Sequence, residues 1–222
     1  MIEQKEFASP WMKSARQDRG QQTAERILTA TEKLMAKRPF REISVAEIVR
    51  EAEASQSSFY ARFPDKGALL GCIYERHSHS QKALIDALLS LEHWRGVPLA
   101  KTLRATFPVI VAGYRSRQGL IRAFIDLASG DERFRKTWGE IGDHIVRRVK
   151  ELVLARQFEV SHPDPEAAVE FGLGFVFANL AFDIQMHEID SSRMESKVEQ
   201  MILMMLRYMG IEDVEDSAAS EG

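Results

Sequence analysis

The chain has 222 residues, of which 45% are apolar and 28% charged, with a net charge of −3. These values are typical of a soluble globular protein, and no apolar run approaches the roughly 20 residues that a membrane span requires. Cys72 is the single cysteine, which excludes an internal disulfide, and residues 1–10 lack the pattern of a secretory signal. We therefore expect a cytoplasmic protein.

The charge is unevenly distributed. Residues 13–66 carry 11 Lys and Arg against 8 Asp and Glu, whereas residues 67–222 carry 18 against 23. A basic N-terminal quarter on an acidic body suits a protein that approaches phosphate with one end only. Chance variation in composition explains so small an excess of basic residues equally well.

Apolar residues recur at helical spacing throughout, and no alternating Val, Ile and Thr pattern indicates a strand, so we predict an all-α fold. One short helix is expected to begin after Ser44. The remaining helices are expected at residues 23–37, 56–63, 66–89, 99–116, 120–128, 131–157, 165–187 and 192–209. We divide the chain into a flexible basic arm (1–20), an N-terminal helical domain (21–67), a C-terminal helical domain (68–211) and a disordered acidic tail (212–222).

The most informative stretch is Ser44–Lys66. Ser44 and Glu47 have the spacing of a capping box, which starts a helix of two turns, and Ser55 starts a second one. Helices this short are unstable alone, so both must pack on the helix at 23–37. Phe59 and Phe63 supply the apolar anchors of the second helix. This arrangement predicts a three-helix helix-turn-helix.

The outer face of the second short helix is predicted to combine slim residues, hydroxyls, an amide and a guanidinium without any acid. Such chemistry suits an element that enters the major groove of DNA. Ser44 and Lys66 lie at helix N-termini, where phosphates bind. The outward residues are Gln56, Ser57, Ser58, Tyr60, Ala61 and Arg62.

At these residues the chain resembles the TetR family of transcription regulators. The resemblance covers about residues 20–72 and rests on AERILTATEKLM, SVAEIVREA and the SFYARFxDK spacing. It implies an all-helical dimer, in which residues 21–67 form a helix-turn-helix DNA-binding domain and residues 68–211 form a helical ligand-binding and dimerisation domain that takes an inducer. It also implies that Phe59 and Phe63 are core, that Lys66 contacts phosphate, and that bases or phosphates are contacted by Gln56, Ser57, Ser58, Tyr60 and Arg62.

Glu53 departs from the family pattern, which usually has glycine in the turn. Ala54 stands where a larger apolar residue is usual, and Ser57 where glycine is frequent. If Glu53 adopts the positive φ of that glycine, it costs about 1 kcal/mol. Either the turn differs slightly or the acidic side chain points away from DNA.

The resemblance further implies that the last two long helices pair with those of a second copy. Residues 167–182 are apolar almost all round, which favours a homodimer, although a buried helix of a monomer would show the same pattern. The predicted interface residues are Phe171, Gly174, Ala178, Phe182, Met201 and Met205. A mostly apolar ligand pocket is expected among Phe107, Val111, Tyr114, Phe124, Trp138, Ile141, Phe175 and Asn179.

Together with these patterns, the resemblance implies a repressor that leaves operator DNA when a small apolar or aromatic inducer binds. No cofactor or metal is expected, since His77 and His79 point to different sides of a helix, and Asp183 with His187 is better explained as a polar pair. Cys72 is expected to be a buried hydrophobe rather than a redox sensor. A helical adaptor without operator activity is the alternative. An enzyme is disfavoured because no catalytic motif is present.

Overall fold

The structure is a computed structural model that describes residues 9–13, 18–186 and 191–213, without the side chains of residues 18, 19, 136, 138 and 191–193. The described part is helical and contains no strand, which confirms the predicted fold class. Its helices are α1 (Asp18–Met35), α2 (Val45–Glu51), α3 (Gln56–Arg62), α4 (Lys66–Leu88), α5 (Leu99–Arg115), α6 (Gln118–Ala128), α7 (Glu132–Trp138), α8 (Glu140–Leu154), α9 (Pro165–Met186) and α10 (Ser191–Met209).

Most predicted helices are present within a few residues, but the single helix predicted over 131–157 is wrong. The chain forms α7 and α8 there, separated at Gly139, and then a 3-10 turn at Gln157–Glu159. Glycine is a poor helix former, and here the Gly139 carbonyl accepts from the Asp143 amide at 2.8 Å to begin α8. α1 also begins earlier than predicted, within the expected arm.

The chain divides into two compact units. The first comprises residues 1–80 and 119–138, and the second comprises residues 81–118 and 139–222. The predicted functional boundary at residue 67 does not coincide with this division by packing, and it stays a prediction.

In the first unit, α1, α2 and α3 pack against one another in pairs. Ile27 and Leu28 of α1 are fully buried, as are Ile48 of α2 and Phe59 of α3. Burial of such side chains stabilises by about 1.5–3 kcal/mol each. This shared core holds two helices that are too short to persist alone.

Residues 9–13 contradict the prediction of a flexible arm. Ser9 is buried, and the Lys13 amide donates to the Arg62 carbonyl at 2.9 Å, so this segment is packed on the first unit. Residues 1–8 and 14–17 of the predicted arm lie outside the described residues.

The second unit has its core among α5, α8, α9 and α10. Arg156 is buried and donates to the Trp94 and Val97 carbonyls and, at 3.1 Å, to the Thr102 hydroxyl. Arg104 binds Asp213, which ties down the start of the predicted acidic tail. Residues 214–222 lie outside the described residues.

α9 is by length and composition apolar enough to cross a membrane, contrary to the prediction that no segment would be. In its most apolar stretch 39% of the residues are buried inside the chain. Length and composition are weak indications alone, because the core helix of a globular protein has the same character.

Candidate nucleic-acid interface

The two phenylalanines of the second short helix are its anchors. Ser55 caps α3 by accepting from the Ser58 amide at 3.1 Å. Phe59 and Phe63 have no exposed surface, and their ring centroids lie 5.5 Å apart. α3 is therefore fixed in rotation about its axis, because both rings must remain in the core.

The opposite face of α3 is open to solvent. Gln56, Ser57 and Ala61 are exposed, Ser58 is half-buried, and Tyr60 is 49% exposed. No acidic residue occurs in the helix. The face is small at its N-terminus and carries amide, hydroxyl and phenol groups, which can hydrogen-bond to base edges.

Arg62 does not lie on this face, so its predicted outward orientation is wrong. The side chain is 6% exposed and its Nε has no hydrogen-bond partner. Burial lowers the pKa of the guanidinium. Position 62 follows Phe59 by three residues, which places it on the buried side of a helix with 3.6 residues per turn.

Lys66 is also directed inward rather than toward the expected phosphate. Its ammonium donates to the carbonyls of Phe40 and Ile43, both at 2.6 Å, and lies 4.4 Å from the centre of the Phe40 ring. Desolvation lowers its pKa. The side chain holds the 3-10 turn at Phe40–Glu42 that precedes α2.

The start of α2 has the predicted capping box. The Glu47 amide donates to Ser44 Oγ at 3.2 Å, and the Ser44 amide donates to Glu47 Oε2 at 2.8 Å. Arg38 also pairs with Glu47, and these hydrogen bonds lower the pKa of the carboxyl to about 2. Ser44 lies at a helix N-terminus as predicted, and its hydroxyl is bound to Glu47.

Glu53 adopts the glycine-like conformation in the turn between α2 and α3. Its φ is +50°, and among the described residues it alone has a positive φ without being glycine. The turn closes with the Ala54 amide donating to the Val49 carbonyl at 2.8 Å. The turn therefore keeps the shape that glycine would give it, and the exposed Glu53 bears the backbone strain of a positive φ.

Comparison with known proteins gives the same assignment for this region. Residues 27–72 match the family described as bacterial regulatory proteins, tetR family. The helix-turn-helix of this chain is therefore of the TetR type. Comparison with curated protein sequences gives no match.

Solved structures resemble this chain well beyond the helix-turn-helix. A TetR-family transcriptional regulator from Mesorhizobium loti MAFF303099 is 18% identical, with a TM-score of 0.67 over 86% of this chain and 98% of that one. FadR of Thermus thermophilus, bound to lauroyl-CoA, is 22% identical, with a TM-score of 0.59 over 84% and 94%. RolR in complex with resorcinol is 22% identical, with a TM-score of 0.58 over 89% and 92%. At these identities the likeness shows the fold.

The second unit of the chain contains a cavity among α5, α8, α9 and α10. Among the described residues that line it, Thr106 is the one polar residue, and its hydroxyl donates to the Thr102 carbonyl at 2.8 Å. The lining residues are Leu103, Thr106, Phe107, Ile110, Val111, Val149, Leu173, Val176, Phe177, Leu180, Ile202 and Met205.

Two predicted pocket residues, Phe107 and Val111, line this cavity. Tyr114 and Ile141 pack on the surrounding core without lining it, and burial raises the pKa of Tyr114 to about 12. Phe124 does not line this cavity, because it belongs to the first unit. The side chain of Trp138 lies outside the described residues.

Phe175 and Asn179 are also absent from the cavity wall. Phe175 is 49% exposed, and the Asn179 amide donates to the Phe175 carbonyl at 3.2 Å. The missed lining residues of α5, Leu103, Thr106 and Ile110, have the helical spacing of Phe107 and Val111. Helical spacing therefore identifies these lining residues in the sequence, whereas aromatic character alone does not.

One face of α9 leaves large apolar side chains exposed. Gly174 has open space where a Cβ would stand, and Ala178 is exposed. Phe171, Phe175, Phe182 and Met186 are 65%, 49%, 56% and 63% exposed. Four of the predicted interface residues, Phe171, Gly174, Ala178 and Phe182, therefore share one accessible stripe.

Met201 and Met205 are wrong as interface residues, because both are buried within the chain at 5% and 3% exposure. The packing at Gly172 of α9 explains why Met205 is buried. A Cβ at that position would lie 2.3 Å from Met205 Sδ, so α9 and α10 approach closely there. The methionines are used for packing inside one subunit.

Proposed function

We propose that this TetR-family protein is a homodimeric repressor that holds operator DNA with α3 and leaves it when a small apolar molecule binds. The observation that carries the proposal is the division of α3 into a buried phenylalanine side and an open polar side. α3 would lie in the major groove of each half-site, with half-site centres about 34 Å apart or a multiple of that distance.

Gln56, Ser57 and Tyr60 are the proposed base-reading residues. Glutamine can pair with adenine through two hydrogen bonds, and serine can donate or accept. Ser58 and Ser44 are proposed phosphate contacts near the two short helices. Arg62 and Lys66 would need to leave their inward positions before they touched DNA, so we assign them to holding the motif in shape.

The exposed stripe of α9 is proposed as the dimer interface. Exposed phenylalanines in a contiguous row are costly in water, and an isologous contact between two copies buries them. Gly174 and Ala178 allow the two α9 helices to approach closely. A second copy also brings the second α3 that a two-fold operator requires.

Dimerisation is tested by Phe171→Glu and Phe182→Glu. Either change places a carboxylate in the apolar stripe, so sedimentation should show monomers at concentrations where the unaltered protein is dimeric. Phe158→Glu is the matched control, because Phe158 is 86% exposed in a turn outside α9. A dimer that survives both changes would contradict this interface.

The proposed inducer is uncharged and mainly apolar. The cavity lining has no charged residue, so an ionised group placed there would lose its hydration without a partner. The lauroyl-CoA of FadR and the resorcinol of RolR support the general idea of small-molecule control in proteins with this fold. We propose that the ligand favours a conformation with lower operator affinity, and the coupling equals its differential affinity for the two states.

The experiment for DNA binding uses the duplex immediately upstream of the protein's own coding sequence. Affinity is measured over a series of salt concentrations. Each phosphate contact contributes a slope of about −0.9 in log affinity against log salt, so a dimer with several contacts should give a steep decline. A flat salt dependence, or equal affinity for unrelated DNA, would contradict the proposal.

A further inference from the structure

The segment Ser9–Lys13, here called the N-terminal strap, joins three parts of the first unit. We propose that this strap positions the recognition helix for DNA, with Trp11 as its anchoring residue. The inference rests on the proposed DNA-binding role of α3. Trp11 is a positioning residue in this account, because it acts through α3 and not by touching bases.

The anchor of the strap is a slot at Gly71 of α4. A Cβ at position 71 would lie 2.3 Å from Trp11 Cδ2, so any larger residue would displace the indole. The Trp11 ring also lies 4.7 Å from the Phe134 ring of α7, and the Arg133 guanidinium lies 5.3 Å from the Trp11 ring. Aromatic and cation–π contacts at these distances are attractive.

The other end of the strap binds the C-terminus of α3. The Lys13 amide donates to the Arg62 carbonyl at 2.9 Å, and the Lys13 ammonium donates to the Tyr60 carbonyl at 3.2 Å. The last carbonyls of a helix lack partners within the helix, and a cation is favourable there. The strap thus holds the turn that carries Tyr60, a proposed base-reading residue.

Aromatic packing continues from the anchor into the core of the unit. The rings of Phe134 and Phe124 lie 4.9 Å apart, and Phe124 stacks on Tyr74 at 3.9 Å. The strap therefore connects the end of a two-turn helix to a rigid cluster. Since so short a helix frays readily, loss of this connection should loosen its last turn.

Cys72 reports whether the strap is closed. Its thiol is fully buried and donates to Ser9 Oγ at 3.5 Å, and burial raises its pKa to about 11. The thiolate is the reactive form, so labelling by an aromatic disulfide reagent requires opening. Because Cys72 is the single cysteine, the labelling rate is specific to this place.

The test compares Trp11→Ala, Gly71→Ala and the double variant with the unaltered protein. Either single change should eject the strap, label Cys72 about tenfold faster or more, and speed amide hydrogen exchange of residues 60–63. The double variant should differ little from Trp11→Ala, because two changes that remove the same contact are not additive. Trp11→Phe should restore slow labelling, since it keeps a ring in the slot.

Gly113→Ala is the control for helix propensity. It also replaces a helical glycine, but the nearest atom to its Cβ would be Gln81 Oε1 at 3.5 Å, so it should leave Cys72 labelling unchanged. Gly71→Ala gains the same helix propensity as this control and also removes the slot for Trp11. The strap can therefore still be tested with Gly71→Ala if Trp11→Ala does not fold.

Affinity for the upstream duplex completes the test. Trp11→Ala and Gly71→Ala should each weaken specific binding about tenfold, and bound DNA should slow Cys72 labelling of the unaltered protein. Unchanged labelling and exchange in both variants, or faster labelling with undiminished affinity, would overturn the strap. If no variant binds this duplex, the proposed operator fails, and exchange at residues 60–63 still decides the strap: faster exchange supports it and unchanged exchange overturns it.

Discussion

Glu53 offers a test that separates backbone strain from charge. Its φ of +50° is a conformation that costs a residue with a Cβ about 1–2 kcal/mol, and glycine adopts it freely. Glycine also loses about 0.4–1 kcal/mol through the greater entropy of the unfolded chain. Glu53→Gly should therefore raise the free energy of unfolding by a net amount of about 0.5–1 kcal/mol.

The charge at position 53 has a separate effect. The side chain is exposed in the turn before α3, where a carboxylate repels DNA phosphate. Glu53→Gln removes the charge but retains the strain, whereas Glu53→Gly removes both. Both variants should bind the upstream duplex more tightly and to a similar extent, while the glycine variant alone gains stability.

The assay is urea unfolding at one fixed protein concentration, because dimerisation makes apparent stability depend on concentration. Thermal unfolding should show a midpoint about 1–4 °C higher for the glycine variant than for the glutamine variant. If Glu53→Gly is no more stable than Glu53→Gln, the argument from backbone strain is refuted.

Three further changes probe the folded motif and the cavity. Glu47 has a pKa of about 2 in the folded protein against an ordinary 4.5, so its stabilising contribution is present above pH 4.5 and is lost as the pH falls toward 2. Between pH 6 and pH 3, Glu47→Gln should therefore lose less free energy of unfolding, measured in urea, than the unaltered protein. Arg156→Met leaves the Val97 and Trp94 carbonyls without this donor and should lower the free energy of unfolding by about 2–3 kcal/mol, whereas exposed Arg207→Met should change it little. Val111→Phe should fill the cavity and abolish binding of the uncharged dye Nile red, with DNA affinity retained; dye binding equal to that of the unaltered protein would remove this cavity from consideration.

The helix-turn-helix was predictable because its signals are local. The Ser44 capping box, the Phe59 and Phe63 spacing and the proline at position 64 all act within a few residues of where they occur. The charge of Arg62 suggests an outward side chain, but its position in the helix places it inside. Three residues after Phe59, an α-helical side chain returns to the buried face.

Lys66 and Trp11 depend on contacts that no local pattern encodes. The Lys66 ammonium reaches the carbonyl of Phe40, 26 residues earlier, and the Trp11 slot joins positions 11, 71 and 134. A lysine at the start of a helix and a tryptophan in a polar segment have many possible environments. Only the packed chain selects one of them.

The two faces of α9 could not be separated from sequence for a different reason. Because the helix is apolar almost all round, hydrophobic periodicity does not indicate which side faces inward. In the folded chain Gly172 lies close to Met205 on the inner side of α9, and Phe175 lies outside and away from the cavity.

The central claim is that the open face of α3 recognises DNA sequence. Its most direct measurement is the ratio of affinities for the upstream duplex and for a scrambled duplex in Gln56→Ala/Tyr60→Ala. Gln157→Ala/Phe158→Ala is the control, because it removes an exposed amide and an exposed ring outside the first unit. The α3 variant should stay folded and dimeric while its ratio of affinities falls to about one, and the control should keep the ratio of the unaltered protein. An α3 variant that still prefers the upstream duplex as strongly as the unaltered protein would contradict the claim.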